Sequence, residues 1–482
     1  MRTVLVAALV AGCAPVAQQA ATPAWVNDTT SPGGASSPAP VVAGYREVAA
    51  KLISTARADH AAYDKLAYLT DQIGNRLAGS QQLDKAIAWA AQSMKDAGLD
   101  VRTEKVMVPH WVRGAEEATV TAPVDRRLHL LALGGSVATP KGGITAPIVV
   151  VHDWKELDVK ADQIKGAIVV YNVAMPAWTP EHGAGYGKTV EYRWGGASQA
   201  AKRGAVASLV RSVTAKSLST PHTGSMGYDK DSPKIPSAAI SVEDAELLDR
   251  LSKDNKVTVH LRLEPQQMPD VESANVIGEL RGREKPDEVV VIGGHIDSWD
   301  VGQGAHDDGA GVVTMMQALM VIKQLGLTPR RTIRVVLFTN EENGVRGAKA
   351  YAEEHKAELA NTVLAVEADS GGFAPRGFDV GHKDAGAAKR VRARLTEVAA
   401  LLAPLGKLVV GEGHGGTDIE PMQSAGVPQV GLDVDGRSYF DYHHTEADTL
   451  DKVDPQDLAD IVAAVAVLAY VVADLPDRVD AL

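Results

Sequence analysis

Hydrophobic positions change their spacing twice along the chain. From residue 45 to about 98, apolar residues recur at three- and four-residue intervals, which predicts amphipathic helices. Between about 115 and 265, short β-branched runs separated by turns predict strands. After about 272, apolar strands and helices alternate. We therefore predict an α/β protein with a mixed, mostly parallel central sheet, helices on both of its faces, and a β-rich insertion.

Three of the four strands predicted in the last part of the chain end directly in acidic or imidazole side chains. These strands are Val289–Ile292, Thr332–Thr339, Val363–Val366 and Val430–Leu432, and the helices predicted around them are 310–325, 345–358 and 455–473. Ligands of open α/β sheets bind beyond the carboxyl ends of the strands, so we expect the functional site there. The middle part predicts a helix at Ala197–Ala207, and its loop from Trp178 to Trp194 shows no catalytic constellation.

The first residues have the pattern of an export signal. A positive residue precedes an apolar stretch that is too short to cross a bilayer as a mature helix, and Val10-Ala11-Gly12 leads into Cys13. Small residues before a cysteine resemble the processing site of bacterial lipoproteins, which predicts a signal at residues 1–13 and lipidation of Cys13. An ordinary signal cut near Ala20 or Ala21 is the alternative. We expect an exported protein, either a periplasmic or outer-membrane-anchored lipoprotein or a secreted protein, with membrane contact only through a lipid anchor.

Composition is typical of a globular protein with more than one domain. Residues 14–40 are rich in Ala, Pro, Ser, Thr and Gly and predict a flexible tether. The 482 residues, 45% of them hydrophobic, predict a main domain from residues 41–114 and 269–482 and an inserted domain at 115–268. Because the net charge is −12 and no dense run of Lys or Arg occurs, we do not expect nucleic acid as a partner.

Two short motifs follow the first strand of the last part. His295 follows two glycines that would let the backbone bend, and it could bind a metal while Asp297 accepts a hydrogen bond from its other ring nitrogen. A loop histidine without a metal is the alternative. Asp307 and Asp308 come later, at the start of a helix. A carboxylate there could bridge two cations or cap the helix, and both roles fit together if Asp308 caps while Asp307 bridges.

Glu341 and Glu342 directly follow the next apolar strand. Two adjacent carboxylates at a strand end repel each other unless cations or a shared proton offset the charge. One could bind a metal while the other removes a proton from a water molecule, which makes Glu341 a candidate general base. A solvated acidic loop is the alternative.

Two later positions complete a candidate set of ligands. Asp369 follows the strand that carries Glu367, and His444 lies in a late loop with Asp448 nearby to orient its surroundings. Two histidines and three carboxylates give each of two ions an imidazole, a terminal carboxylate and a shared bridge, which suits zinc with room left for water. The sequence therefore predicts two zinc ions per chain.

The order of these residues resembles a family of two-zinc exopeptidases that includes bacterial leucyl aminopeptidases, glutamate carboxypeptidase and the transferrin receptor. The segment from Gly294 to Ala305 and the pair His443-His444 are most similar to the branch represented by plasma glutamate carboxypeptidase, and the similarity runs over about residues 45–475. The resemblance implies the zinc exopeptidase fold, an inserted protease-associated domain and short peptides as substrates. The sequence also allows a homodimer.

The resemblance implies a role for each site residue. His295 and Asp369 would bind one zinc, Glu342 and His444 the other, and Asp307 both, with Glu341 as the base that generates a metal-bridging hydroxide. It also implies a cis peptide bond between Asp307 and Asp308. His443 stands where some relatives carry a tyrosine thought to stabilise the tetrahedral intermediate, so it is a candidate for oxyanion or substrate contact.

Two other functions are open to a chain of this fold. A non-catalytic binding protein, as the transferrin receptor is, would have lost ligands, whereas all five ligands and the base are present here. A glutaminyl cyclase would use a single zinc. The sequence does not separate aminopeptidase, carboxypeptidase and strict dipeptidase activity.

Overall fold

The computed structural model describes residues 41–58 and 60–481. The predicted export signal at residues 1–13, the tether at 14–40 and the candidate lipidation site Cys13 lie outside the described residues. The strands are β1 (Asp100–Val112), β2 (Glu116–Ala122), β3 (Arg126–Leu128), β4 (Leu130–Ala132), β5 (Ile144–Val151), β6 (Ile168–Tyr171), β7 (Ala207–Arg211), β8 (Ser237–Ile240), β9 (Thr258–Leu263), β10 (Gln266–Leu280), β11 (Lys285–His295), β12 (Arg331–Phe338), β13 (Thr362–Glu367), β14 (Pro375–Gly381), β15 (Val409–Glu412) and β16 (Gln429–Val434). The helices are α1 (Arg46–Ala58), α2 (Ala61–Ala67), α3 (Gln81–Asp96), α4 (Trp154–Val159), α5 (Ala161–Ile164), α6 (Val190–Ala201), α7 (Val242–Asp254), α8 (Ala310–Gln324), α9 (Arg346–Glu354), α10 (Ala385–Ala399), α11 (Tyr439–Tyr442) and α12 (Pro455–Asp474).

The central sheet has eight strands in the order β1-β10-β12-β11-β13-β16-β14-β15. The strands β12, β11, β13 and β16 at its centre are mutually parallel, and β14 is parallel to β15. The pairs β1 with β10, β10 with β12 and β14 with β16 are antiparallel. The sheet is therefore mixed with a parallel centre, and it belongs to an α/β fold as the sequence predicted.

Helices cover both faces of this sheet. Val290 and Ile292 of β11 pack in a cluster with residues of α1, α8 and α12, whereas Val289 and Val291 pack with residues of α9 on the opposite face. Successive side chains of a strand point to opposite faces, so a continuous apolar strand is buried on both. The helix α12 has the length and composition to cross a membrane, but 89% of its apolar window is buried inside the protein.

A second eight-stranded sheet comes from the chain between β1 and β10. Its order is β3-β2-β9-β5-β6-β7-β8-β4, and all of its strands lie within residues 116–263. Two hydrophobic clusters pack on it. The cluster with Val120 and Ile168 also includes Leu77 and Trp299 from outside this sheet, whereas the cluster with Tyr171 lies wholly within residues 133–239. The strand β10 starts at Gln266 and pairs there with β1, so residues 266–268 belong to the central sheet.

Some elements differ from those predicted. The helix predicted at Ala197–Ala207 begins at Val190 and ends at Ala201, because Gly204 adopts a left-handed φ of +85° and β7 starts at Ala207. The helix predicted over 345–358 ends at Glu354. The sequence pattern predicts neither the strands β14 and β15 nor the helix α10. Proline, glycine and charged residues interrupt the apolar pattern of the two strands.

We expect Leu468→Ala in α12 to lower the free energy of unfolding by about 2–5 kcal/mol, because the truncation leaves a cavity in the core. Leu468 is fully buried in the cluster shared by α1, α8 and the sheet. Thermal or urea unfolding measures the change. Leu218→Ala, at a leucine that is 63% exposed, is the matched control. It should stay within about 0.5 kcal/mol of wild type. Equal effects of the two substitutions would contradict the buried position of α12.

Candidate metal site

The predicted ligands meet at the carboxyl ends of the parallel strands. The strand β11 ends at His295, Glu342 follows β12, and Asp369 follows β13. Asp307 precedes the helix α8, and His444 follows the short helix α11. All five predicted ligands are therefore brought to one edge of the central sheet.

Two groups of ligand atoms share Asp307. Nε2 of His295 lies 3.2 Å from Oδ1 of Asp307 and 3.4 Å from Oδ1 of Asp369. Nε2 of His444 lies 3.2 Å from Oδ2 of Asp307 and 3.2 Å from Oε2 of Glu342. The two oxygens of Asp307 thus face different histidines, which is the arrangement that a carboxylate bridging two cations requires.

Several of these ligand atoms are buried and lack a hydrogen-bond partner among the described residues. Within the described part of the chain, no hydrogen-bond partner is found for His295 Nε2, Asp307 Oδ2, Glu342 Oε1 or Asp369 Oδ1. A buried polar atom without a partner costs about 1–3 kcal/mol, and cation binding would offset that cost. Ligand atoms of His295, Asp307 and Glu342 lie within 4.8 Å of one another. The residues present therefore fit divalent cations, and their imidazole and carboxylate donors suit zinc.

Charges in the cluster shift the pKa values of its histidines upward. Burial alone would lower the pKa of His295, but Asp369 and Asp307 raise it well above its usual range. Burial would also lower the pKa of His444, but Glu342 and Asp307 raise it to about 9. Burial and the charge of Asp307 raise the pKa of Glu342 to about 7. Protons on the imidazoles thus balance the carboxylates, and a bound cation would take over that role and release them.

Asp308 caps the helix α8, as one of the sequence alternatives predicted. Its Oδ1 accepts a hydrogen bond from the Gly311 amide at 3.0 Å, and its Oδ2 accepts one from the His295 amide at 3.1 Å. The Asp307–Asp308 peptide bond is cis, as the resemblance implied. Gly294 does not form the predicted bend but lies in β11, where a Cβ would stand 2.3 Å from Oδ2 of Asp308. Glycine is required there because the Asp308 carboxylate approaches so closely.

Asp297 supports the site in a different way from that predicted. Nδ1 of His295 lies 3.1 Å from the main-chain carbonyl of Asp297 but 3.7 Å from its carboxylate. The carboxylate instead accepts hydrogen bonds from the amides of Glu341 and Glu342, at 3.0 and 3.4 Å. Asp297 therefore orients the imidazole through its main chain and holds the acidic loop through its side chain.

Glu341 and His443 lie beside the ligands. Glu341 is partly exposed, and loss of hydration together with the charges of Asp369 and Glu342 raises the pKa of its carboxyl well above the usual range. His443 stacks on His444 with ring centroids 3.5 Å apart, and its Nε2 lies 3.7 Å from Oδ2 of Asp307. Burial and the charge of His444 hold the pKa of His443 well below its usual range. His443 is thus a neutral imidazole next to the ligands.

The segment between β7 and β8 contacts two of the ligands, and the sequence carried no signal for these contacts. Nδ1 of His444 lies 3.2 Å from the carbonyl oxygen of Thr223, and the Thr223 amide donates to the His444 carbonyl at 3.0 Å. The Ser225 hydroxyl donates to the main-chain carbonyl of Glu342 at 2.5 Å. The second sheet therefore helps to position His444 and Glu342.

Buried groups also fix the loop that carries Asp307. Arg76, fully buried, donates to the carbonyls of Ile296, Gln303 and Gly304 at 2.9, 2.9 and 3.1 Å. Asp448, which the sequence placed near His444, accepts hydrogen bonds from the amides of His306 and Asp307 at 2.7 and 3.2 Å. Arg76 was not predicted, because its partners are main-chain carbonyls that no side-chain pattern reveals.

Two further carboxyls lie behind Asp369. Glu367, at the last position of β13, accepts hydrogen bonds through Oε2 from the amides of Asp418 and Ile419, both at 3.0 Å. Burial and the charge of Asp369 raise the pKa of Glu367 to about 8. Burial and the charge of Glu367 raise the pKa of Asp418 well above its usual range. The raised pKa values mean that these two carboxyls bind protons more tightly than free side chains do, as expected where negative charge is already concentrated.

Comparisons with known proteins agree on one family. The model of peptidase family M28 matches residues 275–469. Carboxypeptidase Q of Mus musculus is 43% identical over 441 residues, which cover 90% of this chain and 91% of that protein. The crystal structure of a peptidase M28 precursor from Shewanella amazonensis has a TM-score of 0.85 at 37% identity and covers 90% of this chain and 98% of that one. BSAP, a zinc aminopeptidase from Bacillus subtilis, shares the fold, with a TM-score of 0.62 at 23% identity over 86% of this chain and 98% of that one.

We expect Asp448→Asn to weaken Zn²⁺ binding by about 10- to 100-fold, because residues that hydrogen-bond to metal ligands without binding the metal orient those ligands. The two carboxylate oxygens of Asp448 serve different amides, and the asparagine NH₂ group cannot accept from either. Competition with a chromophoric chelator measures the affinity. Asp451→Asn, at an aspartate whose side chain is 71% exposed, is the control and should bind Zn²⁺ like wild type. Unchanged affinity in Asp448→Asn would show that Asp307 does not depend on this support.

Proposed function

The chain belongs to peptidase family M28 and is a zinc metallo-exopeptidase, and from this premise we propose that it hydrolyses terminal peptide bonds of short peptides at a two-zinc site. We assign His295 and Asp369 to one zinc, Glu342 and His444 to the other, and Asp307 to both. The observation that carries the assignment is the position of Asp307, whose two oxygens each lie 3.2 Å from Nε2 of a different histidine.

Glu341 is the general base in this proposal. Zinc, when bound, lowers the pKa of a coordinated water molecule to about 7 and so makes a nucleophile available at neutral pH. Glu341 is adjacent to the ligand Glu342, and Asp297 fixes its amide. Its raised pKa suits a carboxylate that accepts a proton and later donates it to the leaving amine.

We also propose that residues 115–268 form a protease-associated domain and that the protein is exported. The contacts of Thr223 with His444 and of Ser225 with Glu342 support a role of this part of the chain at the site. The signal pattern at residues 1–13 supports export, and Cys13 is the proposed lipidation site.

The rival functions have less support. A non-catalytic binding protein on this fold would not need the five proposed ligands together with Glu341. A single-zinc cyclase would need only one group of ligands, whereas here Nε2 of His295 and Nε2 of His444 each lie within 3.4 Å of Asp307 and of one further carboxylate.

We expect Glu341→Gln to retain zinc while kcat falls by about 10²–10⁴-fold, because glutamine has nearly the same shape but cannot accept the proton. Hydrolysis of a panel of unsubstituted dipeptides, with metal analysis of the same samples, measures both quantities. Glu342→Gln is the matched control, since the same change one residue later removes a ligand and should lower the zinc content. If Glu341→Gln keeps most of the activity, another group is the base.

Metal analysis of the purified protein should give two zinc ions per chain. Removal of the metal by a chelator should abolish dipeptide hydrolysis, and added Zn²⁺ should restore it, because the reaction requires the activated water. Full dipeptide hydrolysis with one zinc per chain would contradict the two-zinc proposal, and one zinc per chain without hydrolysis would favour cyclase chemistry.

A further inference from the structure

Arg113 lies where the chain passes from the central sheet to the second sheet. It stands between the end of β1 at Val112 and the start of β2 at Glu116, and its side chain is 12% exposed. Its Nε and NH2 donate to the two carboxylate oxygens of Asp300, at 2.9 and 2.6 Å. Such a bidentate pair is strong, and it fixes orientation as well as distance. Because Asp300 lies in the loop after β11 that also carries Asp297, the pair ties the crossing point between the sheets to the metal site.

The other N–H groups of Arg113 reach the second sheet. NH1 donates to the carbonyl of Ala132, the last residue of β4, at 2.6 Å and lies 3.4 Å from the carboxylate of Glu116. NH2 also donates to the hydroxyl of Thr223 at 3.3 Å, and that hydroxyl donates to the carbonyl of Ala132 at 2.8 Å. A guanidinium carries five N–H groups in one rigid plane. The five contacts of Arg113 therefore hold Asp300 and the second sheet in one fixed arrangement.

Thr223 connects this arrangement to a proposed zinc ligand. Its amide donates to the carbonyl of His444 at 3.0 Å, and its own carbonyl oxygen lies 3.2 Å from Nδ1 of the same histidine. When Nε2 of a histidine binds a metal, its Nδ1 carries a proton, and the group that accepts this proton sets the orientation of the ring. Thr223 is fully buried, and its hydroxyl is held by Arg113 and Ala132. Arg113 therefore reaches His444 through one intermediate residue.

The second sheet supports the ligands of one proposed ion. Thr223 contacts His444, and Ser225 donates to the main-chain carbonyl of Glu342. Both of these ligands belong to the same ion in the proposed assignment. His295, which belongs to the other ion, has its amide and its ring held by two aspartates of the central-sheet part. A shift of the second sheet should therefore disturb one ion and spare the other.

We propose that Arg113 is a positioning residue for the ion that Glu342 and His444 would bind. It sets the orientation of the His444 imidazole by holding Thr223 and the site loop together. The inference rests on the proposed two-zinc function and names a residue on which one of the two ions depends. Residues that hydrogen-bond to metal ligands contribute about 10- to 100-fold to metal affinity, and Arg113 acts one residue further out, so we expect an effect of about 10-fold.

A purely structural role for Arg113 makes a different prediction. If its pair with Asp300 only stabilised the folded chain, the loss of the pair would lower the thermal stability and would weaken both ions alike or neither. If Arg113 positions His444, its loss would weaken one ion. Measurements on each ion by itself therefore separate the two roles.

The test uses two backgrounds that each retain a single ion. Asp369→Ala should leave the ion of Glu342 and His444, and Glu342→Ala should leave the ion of His295 and Asp369. We expect Arg113→Gln to weaken Zn²⁺ binding by about 10-fold in Asp369→Ala and to leave it unchanged in Glu342→Ala. Competition with a chromophoric chelator measures both affinities and needs no substrate.

A double-mutant cycle in the Asp369→Ala background tests the route through Thr223. Thr223→Val has nearly the same shape and keeps the main-chain contacts with His444, but it removes the hydroxyl that accepts from Arg113. Thr223→Val should therefore also weaken Zn²⁺ binding, and its combination with Arg113→Gln should add little to the larger single effect. Arg113→Lys keeps the charge without the planar fork and should give an intermediate affinity. Effects that multiply in the double variant would overturn the proposed route.

Arg394→Gln is the matched control. Arg394 pairs with Glu397 on α10 at 3.1 Å, so its substitution should leave zinc affinity unchanged in both backgrounds. Equal weakening by Arg113→Gln in the two backgrounds, or lower thermal stability with unchanged affinity, would overturn the proposal. If Arg113→Gln does not fold, Thr223→Val still tests the proposal, and unchanged affinity in that variant would overturn it. A wild type that binds fewer than two zinc ions would instead refute the proposed function, and this inference with it.

Discussion

Negative charge concentrated at one edge of the central sheet is the constraint on which the rest of the structure depends. Asp307, Glu342 and Asp369 lie within 3.2–3.4 Å of two histidines, with Glu367 and Asp418 buried behind them. Carboxylates removed from water cannot all ionise unless protons or cations offset their charge. Burial and neighbouring charges accordingly raise the pKa of Glu342 to about 7 and of Glu367 to about 8. Divalent cations would satisfy this constraint better than protons, because they would also give a partner to the ligand atoms that have no hydrogen bond.

Carboxylates of nearby residues hold the proposed ligands by the ligands' own main-chain amides. Asp297 binds the amides of Glu341 and Glu342, Asp308 binds the amide of His295, and Asp448 binds the amide of Asp307. Each of these carboxylates fixes the backbone of a metal-binding residue and leaves that residue's own side chain free. Carboxylates therefore have two roles at this site. Some would bind the cations, and others hold the loops that carry the proposed ligands.

The sequence was sufficient to predict which residues meet at the candidate site and insufficient for what surrounds them. His295, Glu342 and Asp369 could be predicted because strand ends are local features and parallel strands share an edge. The contact between Thr223 and His444 joins residues 221 positions apart and uses a main-chain carbonyl, so no local pattern reports it. Arg76 was missed for the same reason, because it donates to main-chain carbonyls. The sequence analysis assigned the contact with His295 to the carboxylate of Asp297, whereas the structure places it at the main-chain carbonyl. The choice between the two groups depends on loop geometry, which the sequence does not report. The strands β14 and β15 were missed because their residues lack an apolar alternation.

The contact of the second sheet with His444 and Glu342 also bears on how the protein matures. All five proposed ligands belong to the segment from His295 to His444, yet His444 and Glu342 contact Thr223 and Ser225, which lie in the part of the chain that forms the second sheet. These contacts join residues far apart in the sequence, so they require both sheets to be folded. If His444 and Glu342 bind zinc as proposed, the second sheet has to be in place before the site reaches its full metal affinity.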